Sequence, residues 1–164
     1  VHRFGNWRMK VGPILVRAPL SIVYRAMERH CRNHYGIELP YSAKLGRRVK
    51  VEHQGGIVVH GASVIGDDVV IRQGVTLGMR SVQHAGDAPV IGNGVDIGAG
   101  AKLLGHIHVG DKAAIGANAV VLEDVPAGAL AVGVPAKVVD RRRKKKEAQA
   151  QPHPAAPVGE AAEA

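Results

Sequence analysis

The chain has 164 residues, a formal net charge of +8 and 46% hydrophobic residues, which is enough for one domain with a buried core. Aromatic residues make up only 3%, which argues against the stacking platforms that bind single-stranded nucleic acid, so no nucleic-acid partner is expected. No stretch is apolar enough to predict a membrane span, and the single cysteine, Cys31, excludes an internal disulfide and favours the reducing cytoplasm.

The first element that the sequence predicts is a helix over residues 19–35, within an N-terminal helical segment of residues 1–36. Pro19 suits the first turn of a helix, and Gly36 is the residue type that most often ends one. The apolar residues at helical spacing form one stripe: Leu20, Val23, Met27 and Cys31. We expect this helix to cover the open end of the domain that follows.

From residue 91 to residue 125 the chain repeats with a period of six. Each unit opens on an aliphatic residue, and its fifth residue is small or branched. The first places are Ile91, Ile97, Leu103, Val109, Ile115 and Val121. This period differs from the i, i+3, i+4 spacing of a helix and predicts short strands that tight turns join into a solenoid. Glycines in second place (Gly92, Gly98, Gly110 and Gly116) are interpreted as supplying the backbone angle that those turns require.

The same register extends backward through Val59, Ile65, Ile71 and Leu77, and an earlier run of Leu45, Val51 and Ile57 is offset by two residues. A fourteen-residue gap between Leu77 and Ile91 indicates an inserted loop. We therefore predict a mainly β protein, with a parallel β-helix of hexapeptide repeats over residues 37–140. Residues 129–137 are expected to form a last strand and a closing turn.

The end of the chain has a different composition. Residues 141–164 begin with six consecutive basic residues and continue as a segment rich in Ala, Pro and Glu. Such a segment cannot bury enough apolar surface to fold, so we expect a basic, disordered tail.

His53 is the strongest candidate for chemistry, because it follows Glu52 and precedes two glycines in the stretch VEHQGG. An imidazole titrates near neutrality and can take a proton from an alcohol as that alcohol attacks a thioester. A surface histidine in an ordinary turn would give the same local sequence. Spacing alone leaves both interpretations open.

His106 and His108 lie two residues apart and would share one face of a strand, which is a spacing that a metal site could use. No third ligand stands at a matching distance in the sequence. We therefore expect exposed polar residues here and no metal.

Four stretches of the sequence resemble the catalytic domain of bacterial serine O-acetyltransferases: VEHQGGIVV (51–59), GVTLG (74–78), IGAGAKLLG (97–105) and AVGVPAK (131–137). The resemblance implies a left-handed β-helix, a homotrimer and acetyl-CoA as the co-substrate. It implies an enzyme that transfers the acetyl group to the hydroxyl of L-serine by direct attack, with a histidine as general base.

The resemblance also assigns roles to individual residues. His53 falls on the catalytic base, and Glu38 falls on the aspartate that orients it. Glu52 takes the place of the aspartate that touches the serine substrate. The residues expected to line the acetyl-CoA groove are Gly78, Ala99, Ala117 and Lys137.

The chain departs from the family where an arginine and a histidine would grip the amino acid, because residues 86–89 read GDAP. Asp87, and His84 in the inserted loop, are the remaining candidates for acceptor binding. The short N-terminal segment looks more like the serine-acetyltransferase-like proteins associated with exopolysaccharide synthesis. A sugar hydroxyl is therefore the alternative acceptor, and a non-catalytic or metal-binding β-helix trimer is the alternative class.

Overall fold

The computed structural model describes residues 1–84 and 86–139. The predicted basic tail, residues 141–164, lies outside the described residues. Two helices open the chain, α1 (His2–Met9) and α2 (Ile14–His30), and a π-helical turn, Cys31–Tyr35, extends the second. Fifteen short strands follow: β1 (Ile37–Glu38), β2 (Lys44–Leu45), β3 (Lys50–Glu52), β4 (Ile57–Val59), β5 (Val64–Ile65), β6 (Val70–Arg72), β7 (Thr76–Gly78), β8 (Val90–Ile91), β9 (Asp96–Ile97), β10 (Lys102–Leu104), β11 (His108–Val109), β12 (Ala114–Ile115), β13 (Val120–Val121), β14 (Leu130–Val132) and β15 (Lys137–Val139).

The strands form three sheets, to which the strands from β1 to β13 contribute in turn. The first sheet has the order β1-β4-β7-β10-β13, the second β11-β8-β5-β2, and the third β15-β14-β12-β9-β6-β3. All pairs are parallel except β14 and β15, which the closing turn joins as an antiparallel hairpin. The predicted parallel β-helix of hexapeptide repeats, preceded by a short helical segment, is confirmed.

The interior of the coil is filled by the residues that the six-residue pattern marks. The first-place residues from Ile65 to Val121 and the fifth-place residues are buried, with exposures of 4% or less. The fifth-place residues are Val95, Ala101, Ile107, Ala113, Ala119 and Val125. Small residues fit there because these positions adjoin the narrow corners of the coil.

The first coil is longer than the regular coil, and this explains the offset between the two runs. Val51 pairs with Ile71, and Val59 pairs with Leu77. The step from Val51 to Val59 is eight residues, whereas the step between their partners, from Ile71 to Leu77, is six. The equivalent of Leu77 is therefore Val59. The sequence interpretation of Ile57 as a first-place residue was wrong, because the two extra residues move it to a fifth-place position.

The second-place glycines are required for a different reason from the one predicted. Gly92, Gly98, Gly110 and Gly116 do not adopt positive φ angles, which fall instead on fourth-place residues such as Gly94 and Gly100. A Cβ added at Gly98 would lie 2.6 Å from the backbone nitrogen of Ala117 and 2.8 Å from the carbonyl carbon of Gly116. These glycines therefore allow the next coil to approach closely.

The inserted loop is confirmed. Leu77 pairs with Leu103, 26 residues further on, whereas Leu103 pairs with Val121, 18 residues further on. The additional residues leave the coil after β7 and return to it at β8, and they include a 3₁₀ turn, Val82–His84.

Helix α2 begins five residues before the predicted start. Pro13 occupies the N-cap, and its carbonyl oxygen accepts hydrogen bonds from the backbone N–H groups of Val16 and Arg17. Pro19 lies inside the helix, where its missing N–H leaves one carbonyl without its helical partner. The solvent-exposed face around Leu15 allows water to satisfy that carbonyl. Gly36 ends the helical segment with a φ of 62°, as predicted.

The face of α2 that packs against the protein also differs from the predicted stripe. Val23 and Met27 are 49% and 38% exposed, whereas Tyr24 is 3% exposed. The Arg8 guanidinium, carried by α1, lies 4.6 Å from the centre of the Tyr24 ring and 5.0 Å from that of Tyr41. The predicted stripe was therefore wrong at Val23 and Met27, whereas its other two members, Leu20 and Cys31, are half-buried; the Tyr24 ring and its cation–π contact lie at the centre of the packed face.

One corner of the coil is held by a ladder of short polar side chains. Asp67 Oδ1 accepts a hydrogen bond from the Arg47 backbone at 2.8 Å, Asn93 Oδ1 from Asp67 at 2.8 Å, and Asp111 Oδ1 from Asn93 at 2.7 Å. The Arg47 backbone N–H, followed by the hydrogen bond from the Arg47 guanidinium, lowers the pKa of the Asp67 carboxyl. The ladder ties successive coils together at positions that the hydrophobic pattern does not mark.

Candidate active site

His53 lies at the corner between β3 and β4, in the longer connection of the first coil. Its φ angle is 61°, in the left-handed region that few residues other than glycine adopt. The side chain is exposed and, within the described part of the chain, accepts and donates no hydrogen bond. An imidazole in this position is free to meet a ligand.

The corner can be aligned residue by residue with the regular corners above it. Glu52 pairs with Arg72 in the next coil. The Gly55 carbonyl accepts a hydrogen bond from the Gly74 N–H at 2.8 Å. One coil further on, the Gln73 carbonyl accepts the equivalent bond from the Gly100 N–H. Gly55 is therefore the counterpart of Gln73. The two residues without a counterpart are His53 and Gln54.

An opening of about 670 Å³ lies beside this insertion, and it is lined by Ile37, Val51, His53 and Gln54. Val51 is 43% exposed, although its partner Ile71 in the next coil is buried at 2%. The difference arises because no coil lies beneath the first one and the helices leave this part of the end uncovered. The opening thus has an apolar floor and two polar side chains at its rim.

Glu38 lies on β1, where it pairs with Val58. The strand begins below the His53 corner, because the Gly36 carbonyl accepts a hydrogen bond from the Ile57 N–H at 2.9 Å. The Glu38 carboxylate is exposed and makes no hydrogen bond to the His53 ring. The pairing of these two residues stays a prediction.

Glu52 is held by a cation that the sequence analysis did not mark. Its Oε2 lies 3.2 Å from Arg72 Nη2, and Arg72 also pairs with Asp96 from the following coil. The hydrogen bond to Asp96, followed by the charges of Asp96 and Glu52, raises the pKa of Arg72. The Glu52 carboxylate is therefore already paired with Arg72. Its contact with the acceptor stays a prediction.

The candidates in the inserted loop lie at another corner of the coil. Asp87 lines a cleft of about 510 Å³ together with Arg80, Ser81 and His106, over a floor that includes Leu104 and Leu122. His84 ends the 3₁₀ turn, and its side chain lies outside what the structure describes. His53 is not among the residues that line this cleft.

Three of the four predicted cofactor-binding residues lie near one corner. The Ala99 carbonyl accepts a hydrogen bond from Asn118, which directly follows Ala117, at 2.8 Å. Lys137 pairs with Val132 in the last hairpin, and a Cβ added at Gly116, beside Ala117, would lie 2.7 Å from Val132 Cγ1. Gly78 ends β7, away from that corner, where its carbonyl accepts from Gly105. Their role in binding a cofactor stays a prediction.

His106 and His108 are exposed, with ring centres 5.3 Å apart and planes at 90°. Over residues 1–84 and 86–139, no group of three His, Cys, Asp or Glu side chains is placed to hold a metal ion. In the same ranges, no helix has the length and apolar character needed to cross a membrane.

No protein-family model matches the chain. A serine acetyltransferase of Helicobacter pylori strain J99 is 46% identical over 121 residues, which cover 74% of this chain and 71% of the relative. The crystal structure of the Brucella abortus serine acetyltransferase in complex with coenzyme A matches with a TM-score of 0.73 and 33% identity, over 85% of this chain and 53% of the other. The soybean serine acetyltransferase complexed with serine matches with a TM-score of 0.71 and 38% identity, over 84% and 54%.

The β-helix and these likenesses define an acyltransferase built of hexapeptide repeats. The chain belongs to the serine acetyltransferase family. The predicted family and the predicted acyltransferase class are confirmed. The chain spans about half the length of the solved serine acetyltransferases that it matches.

The residues that sequence reasoning missed are Gln54 and Arg72. Gln54 is the second inserted residue at the His53 corner, and the eight-residue step from Val51 to Val59 was the signal that could have found it. Arg72 could not be found by spacing, because its two partners come from neighbouring coils.

Proposed function

We propose that this chain transfers an acetyl group from acetyl-CoA to the hydroxyl of L-serine, giving O-acetylserine and CoA. The observation that carries the proposal is the insertion of His53 into an otherwise regular corner, exposed and beside an opening. The family relatives with coenzyme A or serine bound support the two substrates.

In the proposed reaction, His53 takes the proton from the serine hydroxyl as the oxygen attacks the thioester carbonyl. The resulting tetrahedral intermediate collapses to the ester, and the CoA thiolate leaves and takes the proton from the His53 imidazolium. Glu38 holds the other imidazole nitrogen, Glu52 contacts the acceptor, and Gly78, Ala99, Ala117 and Lys137 line the cofactor groove. Backbone N–H groups of that groove would stabilise the developing oxyanion.

We further propose that the active protein is a homotrimer in the cytoplasm. Ala99 and Ala117 lie on an outer corner of the coil, so a groove long enough for acetyl-CoA requires a second surface facing it. A neighbouring subunit would supply that surface. The single cysteine and the use of acetyl-CoA favour the cytoplasm.

A sugar hydroxyl is a second candidate acceptor, favoured by the cleft beneath the inserted loop. Its polar rim of Arg80, Ser81, Asp87 and His106 over an apolar floor suits a hydroxyl-rich ring. The test is thiol release from acetyl-CoA with L-serine and, separately, with a panel of sugars and nucleotide sugars. Release with L-serine supports the leading proposal, and release only with a sugar would replace it.

A further inference from the structure

Gln54 is the second of the two residues that the first coil adds to a regular corner. Every other connection at this corner of the coil, from Ile71 to Leu77, from Ile97 to Leu103 and from Ile115 to Val121, spans six residues and carries no such addition. His53 and Gln54 therefore leave the stacked ladder together, between Glu52 and Gly55, which both retain their partners in the coil above.

The insertion points both side chains at the same opening. The left-handed conformation of His53 redirects the chain, and both residues then line the space above Ile37 and Val51. Of these four residues, only His53 and Gln54 have polar side chains. If His53 takes the proton of the acceptor hydroxyl, Gln54 is the polar group that remains for the rest of the acceptor.

Nothing in the described chain competes for the Gln54 amide. The side chain is exposed, and in residues 1–84 and 86–139 it makes no hydrogen bond with another residue. The nearby cation Arg72 is already paired with Glu52 and Asp96. An amide has two N–H donors that can bind a carboxylate.

We propose that Gln54 is a substrate-binding residue whose amide N–H groups bind the carboxylate of an amino-acid acceptor beside His53. This role rests on the proposed acetyl transfer to serine and names one group that fixes the acceptor. Gln54 selects the acceptor, whereas His53 performs the proton transfer.

The test compares Q54A, Q54E and the wild type in steady-state thiol release from acetyl-CoA with L-serine. Loss of one hydrogen bond corresponds to about a tenfold rise in the KM for L-serine in Q54A. Q54E should raise this KM further, because its carboxylate repels the carboxylate of the acceptor. The KM for acetyl-CoA should match that of the wild type in both variants, and the pH dependence of kcat should match it in Q54A, since His53 is retained and no charge is added beside it.

The matched control is Q73A. Gln73 is an exposed glutamine at the regular corner of the next coil, and only its backbone carbonyl is used in the ladder. Q73A should leave the KM for L-serine unchanged, whereas a rise equal to that in Q54A would overturn the proposal.

Two further results would overturn the role of Gln54 while leaving acetyl transfer to serine standing: a KM for L-serine in Q54A within twofold of the wild type, or a Q54E variant equal to Q54A. A wild-type protein that releases no thiol with L-serine would contradict the proposed function itself, and the role of Gln54 would fall with it.

Discussion

His53 combines a left-handed backbone conformation with an exposed side chain. A φ of 61° in a residue with a Cβ costs free energy that the fold must offset elsewhere. Arg48, Asp68, Lys112 and Asn118 adopt the same region at other turns of the coil, so the exposed imidazole in an inserted segment, and not the φ angle, distinguishes His53. The same corner contains Gly55 and Gly56, which also adopt positive φ angles and make the insertion sterically possible.

His53→Asn tests the base without disturbing that conformation. Asparagine tolerates left-handed angles better than alanine does, so the corner should keep its shape while the imidazole is lost. We expect kcat for acetyl transfer to fall by about 100-fold or more, measured as thiol release. The unfolding temperature should stay near that of the wild type.

The control for this variant is His60→Asn, which removes another imidazole from the same coil. His60 contributes its ring nitrogen only to a local bond from the Ala62 N–H. H60N should keep wild-type kcat. A kcat in H53N within threefold of the wild type would contradict the role of His53 as general base.

The close approach of neighbouring coils at the second-place glycines contributes to the stability of the fold. Gly98→Ala would bring a methyl group to 2.6 Å from the Ala117 nitrogen, which is backbone and cannot move aside alone. We expect the free energy of unfolding to fall by about 1–3 kcal/mol. Thermal unfolding followed by circular dichroism checks this value.

Gly12→Ala is the matched glycine variant for that comparison, because a Cβ at Gly12 would meet no atom within 4 Å. It should leave the unfolding temperature nearly unchanged. An equal loss of stability in the two variants would show that the loss at Gly98 does not come from contact between coils.

The Asp67 and Asp68 carboxylates make the stability of this corner depend on pH. The Arg47 backbone lowers the pKa of Asp67, and the hydrogen bond from Arg48 lowers that of Asp68. A lowered pKa means that the folded state binds protons less readily than the unfolded chain. The stabilisation is therefore present above the unfolded pKa, about 3.9, and is lost as the pH falls through the folded values.

Asp67→Asn should weaken this dependence, because the amide oxygen can still accept the Arg47 bond but does not titrate in this range. The unfolding temperature, measured from pH 6 down to pH 2.5, should fall less steeply in D67N than in the wild type. Equal slopes for the two proteins would argue against a contribution from Asp67.

The coil of the whole molecule could be predicted from the sequence, because two residues in every six, an aliphatic one in first place and a small or branched one in fifth place, have to fill its interior. The same rule failed where the chain leaves the period. Ile57 was misplaced by the insertion of His53 and Gln54, and the orientation of α2 depends on Tyr24 and Arg8, which no apolar stripe contains. The insertion was visible as an offset of two residues, but only strand pairing shows which residues it adds.

The proposed homotrimer can be tested by the mass and the activity of the protein in solution. A homotrimer predicts a mass of three chains by light scattering coupled to size-exclusion chromatography. Because the proposed cofactor groove lies between subunits, activity per chain should fall on dilution below the concentration at which the trimer dissociates. An active monomer would contradict the proposed groove.

The most direct test of the account is thiol release from acetyl-CoA by the full chain with L-serine as the acceptor. We predict release that saturates with L-serine and is lost in His53→Asn. Absence of release with L-serine, or equal release by the wild type and His53→Asn, would contradict the account.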